Sequence, residues 1–198
     1  MLVIGLTGGI GTGKSYVAHV LKNMGACLVN ADLLGHELYE PGRQGWCQVT
    51  SAFGEGVLSD DRRIDRSKLG EIVFNDSASL EQLNSIMHPL IFRLAEKRIE
   101  DLSRDGASVV VLEAALLIEA DWVSLVDEIW VTVSNEDDVV NRIKERNGLS
   151  EDAIRARMSA QMSQVERVLH ADIVIENGES LADLDIQIQD LWRKRVLD

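Results

Sequence analysis

The stretch VIGLTGGIGTGKSYVAHVL, residues 3–21, decides the fold of this chain. Within it, residues 8–15 read G-x-x-x-x-G-K-S, the pattern of a loop that binds the phosphates of a nucleoside triphosphate. An apolar strand pattern precedes the loop and a helical pattern follows it, which is the context that the loop requires. Glycines let the backbone N–H groups turn onto the phosphates, and the following helix presents its positive end to them. The alternative is a Gly-rich turn that binds nothing.

The loop supplies the first candidate site residues. Lys14 is expected to reach the β- and γ-phosphate oxygens, and the Ser15 hydroxyl is expected to bind Mg²⁺. The candidate nucleotide-binding set in this stretch is Gly9, Ile10, Gly11, Thr12, Gly13, Lys14, Ser15 and Tyr16. The pattern leaves open whether the terminal phosphate is hydrolysed, used as a switch or transferred to an acceptor.

The composition of the whole chain narrows its partners. It has 198 residues, of which 45% are hydrophobic and 27% charged, and its formal net charge is -13. A nucleic-acid surface requires clustered basic residues, which this acidic balance argues against. A membrane-spanning helix requires about 20 consecutive apolar residues, and no stretch approaches that length. We therefore expect neither nucleic acid nor membrane as a partner. Cys27 and Cys47 form no CxxC motif and are expected to be reduced, as in a cytoplasmic protein. None of these features predicts an oligomeric state.

Short apolar segments without clean alternation predict a buried parallel sheet. They are residues 2–6, 27–30, 108–112, 128–133 and 172–176. Helical patterns separate them, so the predicted fold class is α/β, a five-stranded parallel sheet flanked by helices. The run from Ser134 to Asp137 is typical of a capping box that begins a helix continuing to Arg146, and Gly148 is its expected end.

The chain between the second and third predicted strands breaks this rhythm. It holds helical pieces at residues 33–40, 66–74, 79–87 and 90–102. Pro41-Gly42 and His88-Pro89 punctuate them, and Pro89 is expected at the first position of a helix. We therefore expect one domain over residues 1–198, with a helical acceptor-binding subdomain at approximately 33–107. A second excursion, approximately 142–165, is rich in arginine and is predicted to be a lid.

Two carboxylates are placed for chemistry at the sheet. Asp32 follows the second predicted strand, and ligands bind outside the carboxyl ends of parallel strands, so Asp32 is expected near the loop. There it can accept a proton from an attacking hydroxyl or hold a Mg²⁺-bound water, whereas an N-cap for the following helix fits its position equally. Glu113 ends the third predicted strand, either as the acidic end of a Walker-B-like strand or as a solvated terminus.

Residues 32–35 also match D-x-x-G, a pattern of GTPase switches, but the spacing leaves no room for a switch segment and the chain contains no N-K-x-D. Arg142 and Arg146 lie four residues apart on one predicted helix face, where they can point at one target. Arginines on a lid can clamp a moving phosphoryl group while the lid excludes water. The alternative is a solvated helix face paired with Glu136 or Glu145. The residues therefore favour a small-molecule kinase, without naming its acceptor.

Further segments resemble the dephospho-CoA kinase family in order and spacing. The opening is similar to L-T-G-G-I-G-S-G-K-S, NADLLGHELYEPG to D-A-D-x-x-x-(R/H)-x-(V/L)-x-x-P-G, and ALLIE to P-L-L-x-E. LGEIVFNDSASLEQLNSIMHPLI is similar to a segment that ends L-N-x-I-x-H-P-x-I, NRIKERNGLSEDAIRARMSAQ to the Arg-rich lid, and ADIVIENGES to A-D-x-V-I-x-N-x-G. Each segment alone is a modest match, but together they are specific.

The resemblance implies a P-loop kinase that transfers the γ-phosphoryl group of ATP, with Mg²⁺, to the ribose 3′-hydroxyl of dephospho-CoA. It implies Asp32 as general base, and Lys14 with Arg142 as the groups that stabilise the moving phosphoryl. The further ATP contacts that it implies are Arg146, Arg157 and Asn177, and the acceptor contacts are Asp32, His88, Pro89 and Glu119. For His88 a helix-boundary role is the alternative to substrate contact, and for the whole chain the alternative enzyme is a nucleoside or nucleotide kinase.

Three positions depart from the family pattern. Asn30 replaces the first Asp of D-A-D, Tyr16 stands where Thr is usual, and Glu113-Ala114-Ala115 stands where D-x-P is common. The Tyr16 change bears on the packing behind the loop, and the Glu113 change bears on the geometry around Mg²⁺. The Asp that the resemblance identifies as the base, Asp32, is present.

Overall fold

The computed structural model describes residues 1–178 and 180–197 of the chain. Glu179, which belongs to the last family-like segment, and Asp198 lie outside the described residues. The chain divides into two compact units, residues 1–29 together with 99–198, and residues 30–98. Each unit has its own hydrophobic core.

The predicted five-stranded parallel sheet is confirmed. Its strands are β1 (Leu2–Gly8), β2 (Cys27–Asn30), β3 (Val109–Glu113), β4 (Glu128–Val133) and β5 (Ile173–Glu176). They lie in the order β2-β3-β1-β4-β5, so β1 is central and the loop that follows it leaves the middle of the sheet. β1 continues past its predicted end at Leu6 to Gly8, and β3 extends to Glu113. All residues of β3 are buried, as expected for a strand covered on both faces.

Nine α-helices occur in the part of the chain that the structure describes. They are α1 (Lys14–Asn23), α2 (Ala31–Leu38), α3 (Gln44–Phe53), α4 (Arg66–Asn75), α5 (Ser77–Arg104), α6 (Glu136–Asn147), α7 (Glu151–Ser159), α8 (Gln164–Val168) and α9 (Leu181–Trp192). Short helical turns add Glu55–Val57, Val123–Leu125 and Arg193–Leu197. None of the described helices is both long enough and apolar enough to cross a membrane.

The core of the sheet-containing unit joins strands to helices. Leu6, Trp130 and Ile175 of the sheet are fully buried in one cluster with Leu21 of α1 and Ile188 of α9. Helix α1, which follows the loop, and helix α9 are thus fixed by apolar packing against the strands. The two cysteines, Cys27 and Cys47, are free thiols in the structure.

The unit of residues 30–98 is helical, and its described residues contain no strand, only an isolated bridge between Leu58 and Ile64. Helix α3 was not among the predicted helical pieces. It begins at Gln44 without a side-chain cap, so its start lacks the usual sequence signal. Its Val49 is fully buried in the core of this unit, and packing rather than capping therefore stabilises the helix.

The prediction that Pro89 begins a helix is wrong. Pro89 lies inside α5, which runs without interruption from Ser77 to Arg104. An internal proline removes one backbone hydrogen bond and costs about 3 kcal/mol. The neighbouring Met87 and Leu90 are each 4% exposed in the core, and their burial offsets this cost.

The predicted capping box at the start of α6 is also wrong. The N-cap is Asn135, whose side chain accepts the backbone N–H of Asp137 at 2.9 Å, while the Ser134 hydroxyl bonds elsewhere. The expected end of the helix at Gly148 is confirmed, since α6 stops at Asn147 and Gly148 adopts a left-handed conformation with φ of 66°. A capping box does occur at the start of α8, between Ser163 and Glu166.

Candidate active site

The Gly-rich loop connects the end of β1 to the start of α1, as the sequence predicts. Its Gly13 is the residue before the helix and has a φ of 98°, a left-handed conformation that glycine adopts without strain. A Cβ atom at Gly13 would lie 2.3 Å from Asn177 Nδ2, so any other residue here would push the Asn177 carboxamide away from the loop. The loop therefore requires glycine here for both conformation and space.

Lys14 folds back across this loop. Its Nζ donates to the carbonyl oxygens of Gly8 at 2.7 Å and Gly9 at 3.1 Å. The ammonium group thus lies over the first half of the loop, at the N-terminal end of α1, where the helix dipole also favours an anion. The prediction that Lys14 reaches the β- and γ-phosphates remains a prediction.

Ser15 and Glu113 form a direct contact between α1 and β3. The Ser15 hydroxyl donates to Glu113 Oε1 at 2.7 Å, and Glu113 is 9% exposed. The interpretation of Glu113 as a solvated strand terminus is therefore wrong. A hydroxyl and a carboxylate are oxygen ligands of the kind that Mg²⁺ takes, and this metal commonly needs only one or two protein groups beside phosphates and water. Larger clusters, of three or more His, Cys, Asp or Glu able to hold a metal, are absent from the described residues.

Asn177 ties the end of β5 to the loop and to Arg142. Its side-chain Nδ2 donates to the Thr12 carbonyl oxygen at 3.0 Å, and its backbone carbonyl oxygen accepts from Arg142 Nη2 at 3.0 Å. The Ser134 hydroxyl donates to the same carbonyl at 2.6 Å and accepts from Arg142 Nη1 at 3.0 Å. The structure thus brings Arg142, Asn177 and the loop together, and it assigns Ser134 to this network rather than to a helix cap.

The other predicted arginines are placed differently. Arg146 is exposed, and its Nε donates to Asn147 Oδ1 at 2.8 Å. Arg157 is exposed on α7. Arg142 and Arg146 therefore have separate partners in this structure and do not point at one target.

Tyr16 packs behind the loop. Its ring lies against the core of the sheet-containing unit, and its hydroxyl donates to Asp185 Oδ1 of α9 at 2.9 Å. The hydrogen bond to the Asp185 carboxylate, followed by burial, raises the pKa of Tyr16, so the phenol stays protonated. The tyrosine that departs from the family pattern is accommodated by a contact between α1 and α9.

In the unit of residues 30–98, Asp32 lies in the first turn of α2 and is exposed. The N-cap of this helix is Asn30, whose side chain accepts the backbone N–H of Leu33 at 3.0 Å. The interpretation of Asp32 as the cap is therefore wrong. Residues 32–35, which match D-x-x-G, lie within the helix rather than in a loop.

His88 and Pro89 both lie in the middle of α5. His88 is half-buried, and burial lowers the pKa of its imidazole below the ordinary value of 6.5. Pro89 is exposed. The helix-boundary role considered for His88 is excluded, because the helix neither begins nor ends there.

Glu119 forms an ion pair with a buried arginine that sequence reasoning missed. Arg167 of α8 is 1% exposed, and its Nη2 lies 2.7 Å from Glu119 Oε1. Arg167 Nη1 also donates to the Ala115 carbonyl oxygen at 3.0 Å and to the Thr7 hydroxyl at 3.2 Å, at the end of β1. The sequence signal that could have indicated burial of Arg167 is its position directly after the S-x-x-E capping pattern, among the apolar residues Val165, Val168 and Leu169.

Two cavities of the sheet-containing unit adjoin the loop and its partners. One, of about 390 Å³, is lined by Gly9 and Ile10 of the loop together with residues of α7 and the segment that follows it. The other, of about 400 Å³, is lined by Ser134, Asn177 and neighbouring residues of β4, β5 and α9. Ser134 lines both cavities, so each adjoins the network of Arg142 and Asn177.

Comparison with known proteins agrees with this geometry. The dephospho-CoA kinase family model matches residues 2–183. The dephospho-CoA kinase of Geobacter sulfurreducens is 42% identical over 195 residues, which cover 98% of this chain and 99% of that protein. Among solved structures, TT1252 from Thermus thermophilus has a TM-score of 0.82 at 33% identity, covering 98% of this chain and 97% of that one. The dephospho-CoA kinase from Campylobacter jejuni has a TM-score of 0.74 at 25% identity, with the same coverage. This chain therefore belongs to the dephospho-CoA kinase family, ATP-dependent phosphotransferases of the P-loop kinase fold.

Proposed function

We propose that this chain transfers the γ-phosphoryl group of ATP to the ribose 3′-hydroxyl of dephospho-CoA, giving CoA and ADP. The observation that carries the proposal is the complete phosphate loop, with Lys14 folded over it and Ser15 bonded to Glu113, in a chain of this family. The network of Arg142 and Asn177 on the same loop supports ATP as the ligand.

In this mechanism the loop holds the phosphates of ATP. The backbone N–H groups and the positive end of α1 bind phosphate oxygens, and Lys14 turns from the Gly8 and Gly9 carbonyls toward the β- and γ-phosphates. Arg142 stabilises the charge on the moving phosphoryl group. Arg146, Arg157 and Asn177 complete the proposed ATP contacts.

The residues of the loop also fit Mg²⁺. Ser15 would hold the ion, and the Glu113 carboxylate, whose Oε1 lies 2.7 Å from the Ser15 hydroxyl, would add a negative charge beside it. When bound, Mg²⁺ neutralises charge on the β- and γ-phosphate oxygens.

Asp32 is the proposed general base. Its carboxylate makes no hydrogen bond or ion pair with a described residue, and the cap of its helix is supplied by Asn30. Asp32 takes the proton of the 3′-hydroxyl as that oxygen attacks the γ-phosphorus, and the bond to the β–γ bridging oxygen breaks with ADP as the leaving group. We assign acceptor binding to the subdomain of approximately residues 33–107, including His88 and Pro89, and to Glu119.

The arginine-rich segment of approximately residues 142–165 is the proposed lid, which excludes water from the reacting groups. A cytoplasmic location and the absence of nucleic-acid or membrane partners are further parts of the proposal. They are supported by the two free thiols and by the net charge of -13.

The deciding experiment measures ADP release with and without dephospho-CoA and identifies the product. We expect dephospho-CoA to stimulate ADP release strongly. The reaction should require Mg²⁺, and its product should be CoA with a 3′-phosphate. Nucleosides and nucleoside monophosphates, tested in parallel, should be poor acceptors. Slow hydrolysis of GTP without phosphorylation of any acceptor would instead indicate a GTP-dependent switch, and we do not expect it. Equal ADP release in the presence and absence of dephospho-CoA would refute the proposed activity.

A further inference from the structure

The phosphate loop makes a side-chain contact that none of these assignments uses. Gln161 Oε1 accepts the backbone N–H of Ile10 at 2.9 Å. Ile10 belongs to the loop whose N–H groups serve to bind phosphate. The segment between α7 and α8 therefore brings a carboxamide directly to the loop.

This carboxamide retains hydrogen-bonding capacity. A glutamine side chain has two N–H donors beside its oxygen, and no described residue accepts a hydrogen bond from Gln161 Nε2. Gln161 is partly exposed and lines the cavity of about 390 Å³ beside the loop, together with Gly9 and Ile10. Its donors are thus available to a ligand that enters this cavity.

The carboxamide lies beside the first half of the loop, the same part that the Lys14 ammonium contacts. Gln161 Oε1 is 3.8 Å from the position of a Cβ atom built on Gly9, and Lys14 Nζ bonds the Gly9 carbonyl oxygen at 3.1 Å. Lysine in this loop pattern reads the β- and γ-phosphates. The group of ATP that lies between the Lys14 ammonium and the Gln161 carboxamide is therefore at the terminal end of the triphosphate.

The backbone around Gln161 is held in place. The N–H of Gln161 donates to the Met158 carbonyl oxygen at 3.1 Å, and the next carbonyl, of Met162, accepts from Arg167 Nη2 at 3.3 Å. Arg167 is itself buried and paired with Glu119. These bonds anchor the end of the proposed lid at which Gln161 lies, so the Gln161 backbone is already ordered before a ligand binds and less conformational entropy is lost.

We propose that Gln161 is a further substrate-contacting residue of the phosphoryl-transfer site. Its Oε1 holds the loop at Ile10, and its Nε2 donates to the terminal phosphoryl group of ATP. The inference rests on the proposed function insofar as ATP is the ligand of the loop. Because ADP lacks the terminal group, Gln161 favours ATP over ADP, and it also stabilises charge on the group as it moves.

Isothermal calorimetry with ATP and with ADP, in Mg²⁺ and without acceptor, tests this assignment. Gln161→Glu keeps an acceptor for the Ile10 N–H but replaces the donors with a carboxylate. We expect it to raise the Kd for ATP by about tenfold or more and the Kd for ADP by less than about threefold. Gln161→Ala should shift the two nucleotides in the same unequal way, by a smaller factor. Gln189→Glu, an equal charge change on an exposed residue of α9, should leave both affinities unchanged.

An equal loss of ATP and ADP affinity in the Gln161 variants, or no loss, would overturn the assignment. Melting temperatures establish that each variant is folded. If Gln161→Glu does not fold, the ATP and ADP affinities of Gln161→Ala decide the assignment. The proposed function fails in a different way. A wild-type protein that binds ATP more tightly than ADP but does not phosphorylate dephospho-CoA would refute the reaction and leave the role of Gln161 standing.

Discussion

Removal of the Glu119 carboxylate is expected to destabilise the fold through Arg167. The guanidinium of Arg167 is 1% exposed, whereas Glu119 is 22% exposed, so Glu119→Ala leaves a buried cation without its counter-charge. Breaking a buried ion pair costs about 3–5 kcal/mol. Because Glu119 retains some contact with water, we expect about 3 kcal/mol for Glu119→Ala, the lower end of that range. Glu119→Gln keeps an acceptor and should cost about half as much.

The free energy of unfolding is measured by urea titration with circular dichroism and tryptophan fluorescence. In a domain of this size 1 kcal/mol corresponds to about 2–4 °C, so Glu119→Ala should lower Tm by about 6–12 °C. The matched control is Glu151→Ala, which removes an ion pair of nearly equal length, 2.8 Å against 2.7 Å, whose two side chains are 44% and 53% exposed. That change should cost less than about 1 kcal/mol.

The reasoning has two points at which it can fail. If Glu119→Ala costs no more than Glu151→Ala, burial of the guanidinium does not set the strength of the pair. Arg167→Met in the Glu119→Ala background removes the unpaired charge and should restore part of the lost stability. A double variant less stable than Glu119→Ala alone would contradict the electrostatic explanation.

Three further outcomes are expected. Lys14→Ala should remove most of the turnover in a folded protein, since on the proposed mechanism the ammonium stabilises charge on the phosphates during transfer; a steady-state assay with near-normal turnover would exclude Lys14 from the mechanism. Asp32→Asn should lower kcat by about 10²- to 10⁴-fold while Tm and ATP affinity stay unchanged, because Asn30 caps the helix; kcat within a few-fold of wild type would mean that the base lies elsewhere. Burial lowers the pKa of His88 below 6.5, so the unfolded state binds protons more readily and stability should fall as the pH drops below that value. In His88→Gln this fall should be shallower in urea titrations at about pH 7 and pH 5, and equal falls in both proteins would show that His88 does not contribute.

The sheet could be predicted because its signal is local. Buried parallel strands leave continuous apolar runs, and the Gly-rich loop must follow one of them, so the ends of β1 and β3 differ from prediction by few residues. The helix boundary expected at Pro89 was wrong because the preference of proline for a helix start is local, whereas tertiary packing decides here. The buried Met87 and Leu90 stabilise a helix that continues through Pro89. Helix α3 was missed for the converse reason, since its stability comes from burial of Val49 rather than from a cap.

In the candidate site, too, the residues in local sequence patterns could be predicted, and the residues with contacts distant in the sequence could not. Lys14, Ser15 and Asn177 belong to recognisable patterns, and the structure places Lys14 and Ser15 at the start of α1 and the Asn177 side chain against Thr12 of the loop. The contacts of Gln161 and Arg167 join residues far apart in the sequence, and no spacing rule connects position 161 to position 10 or position 167 to position 119. Their roles depend on burial and hydrogen bonding, which a single sequence does not display.

The hydrogen bond between Asn30 and Leu33 separates the two polar positions of the N-A-D triplet. Asn, Asp and Ser cap helices about equally well, so any of the three at position 30 preserves the start of α2. Position 32 has no such freedom on the proposed mechanism, because Asn there retains the shape and loses the proton acceptor. Among relatives of this chain we therefore expect Asn, Asp or Ser at position 30, whereas on the proposed mechanism Asn at position 32 would identify a protein that still folds and binds nucleotide but has lost the transfer step.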